Sequence, residues 1–90
     1  LQGVLLSGGG GLADHSDVVR FRESVGSETS LLAACLAHVR GLPWATHVVV
    51  GVTSAAELGE IVDAWNACEP AVADASLGSS DLDLIDPRRW

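Results

Sequence analysis

Two rhythms of apolar and polar positions alternate in the middle of this chain. Between Ser27 and Arg40, the residues Leu31, Leu32, Cys35, Leu36 and Val39 recur at i, i+1, i+4, i+5 and i+8. That spacing lays one apolar stripe along a helix over Ser27–Arg40. Ser27 is placed to cap it, and Glu28 suits the positive end of its dipole. Arg40-Gly41, with Pro43 two residues on, is a stop signal. His38 falls away from most of the stripe and reads as a surface histidine. The rhythm then changes at Thr46–Val50, where Val48, Val49 and Val50 form a β-branched run suited to a parallel strand covered on both faces. Gly51 offers a sharp turn or a close approach to a ligand. Leu58, Ile61, Val62 and Trp65 return to helical spacing, so a second helix is expected over Ser54–Asn66, with Asn66, Glu69 and Pro70 ending it.

The joint between that strand and that helix carries the strongest functional pointer. Ser54 with Glu57 three residues on is a capping box, in which the serine oxygen accepts from a first-turn N–H and the glutamate reaches back to the cap. A helix N-terminus directly after a buried strand is an anion site, because its free N–H groups and its dipole point outward together. A helix, a short loop, a buried strand and a helix make an α/β rhythm with a right-handed crossover.

The flanks are patterned less clearly. Gln2–Leu6 either closes a strand or opens a turn. Ser7–Gly11 reads as a flexible tether or as a phosphate-cradling loop. Its spacing fits neither the P-loop nor the dinucleotide fingerprint, which favours the tether. Leu12–Val25 mixes charge with apolar residues and suits a short helix or an irregular arm. Ala71–Ser80 is small and polar and is expected to wrap the outside, Ser80–Leu84 to start a last helical turn, and Trp90 to serve as a packing anchor or clamp. No internal repeat occurs.

Composition narrows the function classes. The chain has 90 residues and a formal net charge of −7, which argues against nucleic acid and anionic membrane surfaces as partners. It is 48% hydrophobic and only 19% charged, so it is no disordered tail, and some of its apolar surface expects company. No run approaches the roughly 18 consecutive apolar residues of a membrane span. The opening Leu-Gln-Gly-Val-Leu-Leu-Ser lacks the basic start of a signal peptide and an initiator Met. The expectation is a cytoplasmic chain that begins inside a longer protein. Cys35 and Cys68 are too few and too far apart for a zinc motif or a disulfide framework, and Cys35 suits an inert buried thiol. Asp14, His15 and Asp17 are neighbours in sequence, but adjacent positions do not converge on a helix. A metal or thiol enzyme built on His15, His38, His47, Cys35 and Cys68 has no motif spacing behind it.

In this order, the residues resemble a known family. Leu-Gln-Gly-Val-Leu-Leu at the start, the Ser27–Arg40 helix, and Val48-Val49-Val50-Gly51-Val52-Thr53-Ser54 followed by Glu57-Leu58 are similar to the C-terminal portion of aldo-keto reductases. Those enzymes are NAD(P)H-dependent oxidoreductases built as (β/α)8 (TIM) barrels. The ending Leu84-Ile85-Asp86-Pro87-Arg88-Arg89-Trp90 is similar to one bacterial branch. The resemblance covers essentially the whole chain but about the last third of a barrel of roughly 250 residues. It implies an α/β chain, the last βαβα portion of a partial barrel with a C-terminal extension, forming a single incomplete domain over residues 1–90. Residues 1–3 would leave the seventh strand, Ser27–Arg40 would be the seventh outer helix, Thr46–Val50 the eighth strand and Ser54–Asn66 the eighth helix.

The resemblance further implies that the loops after the last two strands hold the pyrophosphate and adenosine of NAD(P)H. The matching positions are Gln2, Gly3, Gly51, Val52, Thr53, Ser54 and Glu57. The catalytic Asp, Tyr, Lys and His of the family lie on earlier strands, and this chain contains no Tyr and no Lys at all. Alone, it is expected to be inactive. Thr53 stands where many members carry Arg or Lys against the 2′-phosphate of NADP, and Glu57 and Ile61 replace a Gln and an Asn that typically meet adenine. A carboxylate near the ribose repels a 2′-phosphate and accepts from a free 2′-hydroxyl, so weak or absent nucleotide binding with a tilt toward NAD is expected. Two readings follow: the cofactor-side piece of a carbonyl-reducing oxidoreductase, truncated or made as a fragment, or a stand-alone interaction or oligomerisation module. Partners under these readings are a nucleotide, the missing barrel portion or a second copy. The carbonyl substrate is not encoded here.

Overall fold

The computed structural model describes residues 4–7 and 9–90. Among them there is no strand and no sheet; the regular elements are helices. These are α1 (Val4–Ser7), α2 (Ser16–Val25), α3 (Leu31–Gly41), α4 (Ala55–Ala67) and α5 (Leu82–Ile85), with short 3-10 helices at Gly9–Asp14, Ala75–Leu77 and Pro87–Arg89. The expected α/β partial barrel, with its last βαβα portion and C-terminal extension, is therefore overturned, and with it the TIM-barrel assignment. The physical reason lies in Thr46–Val50. A strand exists only as part of a ladder, and no described segment lies alongside this one to exchange backbone hydrogen bonds with it. The proposed seventh-strand end at residues 1–3 lies outside the described residues.

The chain divides into two compact units, Leu1–Leu31 with Asp74–Trp90, and Leu32–Ala73. In the first, Val4 and Val18 are buried, Val18 completely. His15 caps α2 through Nδ1, which accepts from the Asp17 N–H at 3.2 Å. With Nδ1 accepting, Nε2 carries the proton and donates to Asp81 Oδ2 at 3.2 Å. Asp81 in turn caps α5 by accepting from the Asp83 N–H at 2.9 Å. Ser79 donates to Asp17 at 2.6 Å, and Arg20 pairs with Asp17 at 2.9 Å. Leu12–Val25, read as a short helix or an arm, thus contributes the ten residues of α2. Gly26 ends that helix at φ +76°, a conformation an L side chain rarely adopts.

The closing heptad is a self-capping turn. Asp86 accepts from the Arg88 N–H at 3.1 Å and from the Arg88 guanidinium at 2.8 and 2.7 Å, with Pro87 as first helical residue. The guanidinium first, and the N–H second, hold the Asp86 carboxyl below its ordinary range. Trp90, expected as a packing anchor or clamp, donates its indole N–H to the Leu84 carbonyl at 3.1 Å.

In the Leu32–Ala73 unit, Leu36 of α3 is buried. The helix starts at Leu31, so Ser27 lies outside it. The chain after α4 returns along α3: the Ala71 N–H donates to the Ala37 carbonyl at 3.0 Å, and the Ala73 N–H to His38 Nδ1 at 2.9 Å. His38 is therefore half-buried and holds this return, rather than standing free at the surface. Gly41 closes α3, and its lack of a Cβ is what admits the returning chain. A Cβ there would lie 3.0 Å from Val72 Cγ2 and 3.1 Å from the Ala71 and Val72 nitrogens. No helix among the described residues is long and apolar enough to cross a membrane.

Candidate functional site: an uncovered segment beside helix α4

The Leu32–Ala73 unit carries a groove of about 340 Å3. Leu36, Thr46, His47, Val48 and Val50 line one part of it, and Leu58, Ile61, Val62 and Trp65 of α4 the rest. The apolar face read along α4 is therefore real, but it is incompletely covered: Leu58 is 45% and Val62 48% exposed. Val48 and Val50 border the groove, whereas Val49 between them is 96% exposed. Val48, Val49 and Val50 thus alternate as side chains do along a strand, whereas His47 lines the groove beside Thr46 and Val48. No backbone N–H or carbonyl from Thr46 to Val52 makes a hydrogen bond with a described residue. Over Val48–Val50 the segment has the side-chain period of a strand, without a backbone partner among the described residues.

At the N-terminus of α4, Ser54 caps as expected, its Oγ accepting from the Glu57 N–H at 3.1 Å. Glu57 reaches past the cap to Thr53, accepting the Thr53 N–H at 2.7 Å and its hydroxyl at 3.0 and 2.9 Å. The Thr53 N–H, and after it the Thr53 hydroxyl, keep this carboxyl below its ordinary range although it is exposed. The structure thus brings Thr53, Ser54 and Glu57 together. Gly51 and Val52 precede them on exposed chain, and Gly51 has neither a left-handed φ nor a close neighbour that a Cβ would meet. Gln2 and Gly3 lie outside the described residues.

The other end of α4 is held by a residue the sequence marked only as a helix stop. Arg40 donates through Nη1 to the carbonyls of Trp65 and Cys68, both at 2.7 Å, and its guanidinium lies 5.4 Å from the Trp65 ring centroid. Trp65 to Arg40 is an aromatic–guanidinium pair that no local spacing reveals, because the residues belong to different helices. Cys35 is half-buried, and burial pushes its thiol up, as suits an inert cysteine. No group of three His, Cys, Asp or Glu residues among those described is placed to hold a metal ion.

Comparison with known proteins returned no matching family model, no matching curated protein and no matching solved structure.

Proposed function

We propose that the Leu32–Ala73 unit is a non-catalytic association module that accepts an extended chain beside Thr46–Val52. The observation that carries this reading is the backbone of Thr46–Val52, which pairs with no described residue while Val48 and Val50 border the groove and Val49 between them faces solvent. Strand addition uses such an edge: main-chain hydrogen bonds give affinity, and alternate side chains fill a groove. Proteins normally guard a free edge with charge, Pro or a bulge. Here no Asp, Glu, Lys or Arg occurs between Gly41 and Ala56, and no Pro after Pro43.

The test is a short synthetic peptide of alternating Val and Thr with terminal Arg for solubility, titrated into the chain and followed by amide exchange. Slower exchange at Val48, Val50 and Val52 supports the reading. The same peptide with a central Pro should leave those amides unprotected; protection by both, or by neither, rejects it.

A second reading keeps the likeness to aldo-keto reductases, as the cofactor-side piece of an NAD(P)H-dependent oxidoreductase whose catalytic residues lie elsewhere. Its support is the convergence of Thr53, Ser54 and Glu57 on the N-terminus of α4. Against it, the Glu57 carboxylate lies over Thr53 directly before that N-terminus, and its charge repels a phosphate there. A thermal melt with millimolar NAD or NADP decides this point. A midpoint raised by either nucleotide favours the cofactor reading, and an unmoved one counts against it.

A further inference from the structure

We propose that His38 is a proton-operated latch on the segment returning along α3: its neutral ring holds Ala73, and its protonated ring releases it. This inference is independent of the association reading above. His38 Nδ1 accepts from the Ala73 N–H at 2.9 Å, across 35 positions of sequence. A neutral imidazole has one acceptor nitrogen, and here that nitrogen is Nδ1, so the ring proton lies on Nε2. A second proton can therefore enter only at Nδ1. It turns the acceptor into a donor facing another donor, and the bond to Ala73 ends.

The surroundings offer the charged ring no replacement. Among the described residues, the Ala73 bond is the one hydrogen bond that His38 makes. No Asp or Glu of any described element stands within ion-pair distance of the ring. Ala71, Val72 and Ala73 themselves carry nothing that titrates. Arg40, two residues on along α3, commits its guanidinium to the Trp65 and Cys68 carbonyls. Asp74, next after Ala73, turns its carboxylate to the Ser76 N–H at 2.8 Å. That N–H, and after it the Ser76 side chain, hold the Asp74 carboxyl below its ordinary range. Asp74 therefore stays charged while histidines titrate.

His15 supplies the contrast. Its Nδ1 also accepts a backbone N–H, that of Asp17 at 3.2 Å, but its Nε2 faces Asp81 at 3.2 Å. A charged His15 keeps that partner as an ion pair, and Ser79 still ties Asp17 at 2.6 Å. When His38 is charged, what remains on Ala71–Ala73 is the Ala71 N–H bond to the Ala37 carbonyl. The last turn of α3 tolerates a cation, so protonation leaves the helix in place and acts on Ala73. Ala73 is the last residue of the Leu32–Ala73 unit. The latch thus sits where the chain passes on to Asp74 and the other unit.

The experiment is NMR of the full chain between about pH 8 and pH 5, where a histidine changes charge and carboxylates do not. Ring nitrogen shifts follow the His38 proton, and amide exchange relative to an unstructured chain at the same pH follows Ala73. The proposal expects an unprotonated Nδ1 at the upper end. Protection of the Ala73 amide should then fall roughly tenfold in step with the ring, the worth of one hydrogen bond. Ala71 should change less, and the amides within α3 should hold. In His38→Asn, whose amide oxygen accepts without titrating, Ala73 protection should stay level across the range. A proton on Nδ1 at the upper end overturns the proposal, as does Ala73 protection that is unmoved while the ring titrates. So does an equal acid-linked loss in His38→Asn, or a uniform loss through α3 and α4. If His38→Asn fails to fold, the comparison of ring titration with Ala73 protection in the unaltered chain decides alone.

Discussion

The Glu57 carboxylate folds over Thr53 and takes up both of its donors, the backbone N–H at 2.7 Å and the hydroxyl at 3.0 and 2.9 Å. A carboxylate of the protein's own thus closes the turn just before α4, on the residue that precedes its cap. The contact has a pH signature. Thr53 holds the Glu57 carboxyl below its ordinary value, so its contribution is present above the unfolded-state pKa and fades as pH falls through the folded one. That window lies below the ordinary glutamate value of 4.5. We expect the Glu57 side-chain carbon to titrate below the same residue in an unstructured peptide by NMR, with Thr53 amide exchange accelerating over the same interval. In Glu57→Gln that acid-linked acceleration should vanish. Titration of Glu57 at the peptide value would contradict the contact.

Arg40 does for the C-terminus of α4 what Ser54 does for its start. Its two 2.7 Å bonds satisfy the carbonyls of Trp65 and Cys68, near the end of α4, and its guanidinium rests near the Trp65 ring. Arg40→Ala should cost about 1–2 kcal/mol in chemical denaturation, from the charged hydrogen bonds and the exposed cation–π contact together. Arg40→Lys should recover part of that, because an ammonium keeps the charge but not the planar fork. Trp65 fluorescence in the folded state should shift in Arg40→Ala and less in Arg40→Lys. An unchanged denaturation midpoint in Arg40→Ala would show that the clamp contributes nothing.

What is legible in the sequence is local, and what it hides is pairing. Ser54 as a cap and the α4 face of Leu58, Ile61, Val62 and Trp65 follow from spacing within a few residues, and each is found. The strand expected at Thr46–Val50 fails for a different reason. A β-branched run reports a preference for extended chain, but a ladder also needs a neighbour, and periodicity cannot say whether one is present. The α/β expectation inherits that gap. The roles of His38 and Gly41 escape local reading for a related cause: both come from Ala71, Val72 and Ala73, which are distant in sequence and too small to advertise a contact. In the candidate site, Thr53, Ser54 and Glu57 are legible as a cluster, whereas the reach of Glu57 to Thr53 rather than to the cap is not.

The Leu1–Leu31 and Asp74–Trp90 unit depends heavily on one side chain. Val18 is fully buried. Val18→Ala removes two buried methyl groups and should cost about 2 kcal/mol, the transfer loss plus a partial cavity. We expect amide exchange to rise across α1 and α2 and to change much less at α4, which belongs to the other unit. A uniform rise through both units would instead mean that they unfold as one.

Gly41 gives the sharpest steric test of the return along α3. Its Cα faces Val72 and the Ala71 and Val72 nitrogens so closely that an added Cβ would sit 3.0–3.1 Å from them. Two of those atoms are backbone, and the Ala71 N–H is already committed to the Ala37 carbonyl at 3.0 Å, so the returning chain cannot swing aside without losing that bond. Alanine gains helix propensity over glycine by roughly 1 kcal/mol, which works in the opposite direction. Overpacking of about 1–3 kcal/mol competes with that gain. We expect the clash to win, giving net destabilisation and faster exchange at Ala71 and Ala73, because the backbone contacts leave no flexible side chain to absorb the shift. A Gly41→Ala protein that is more stable than the parent, with Ala71 and Ala73 still protected, would show that the returning segment sits farther from α3 than these distances place it.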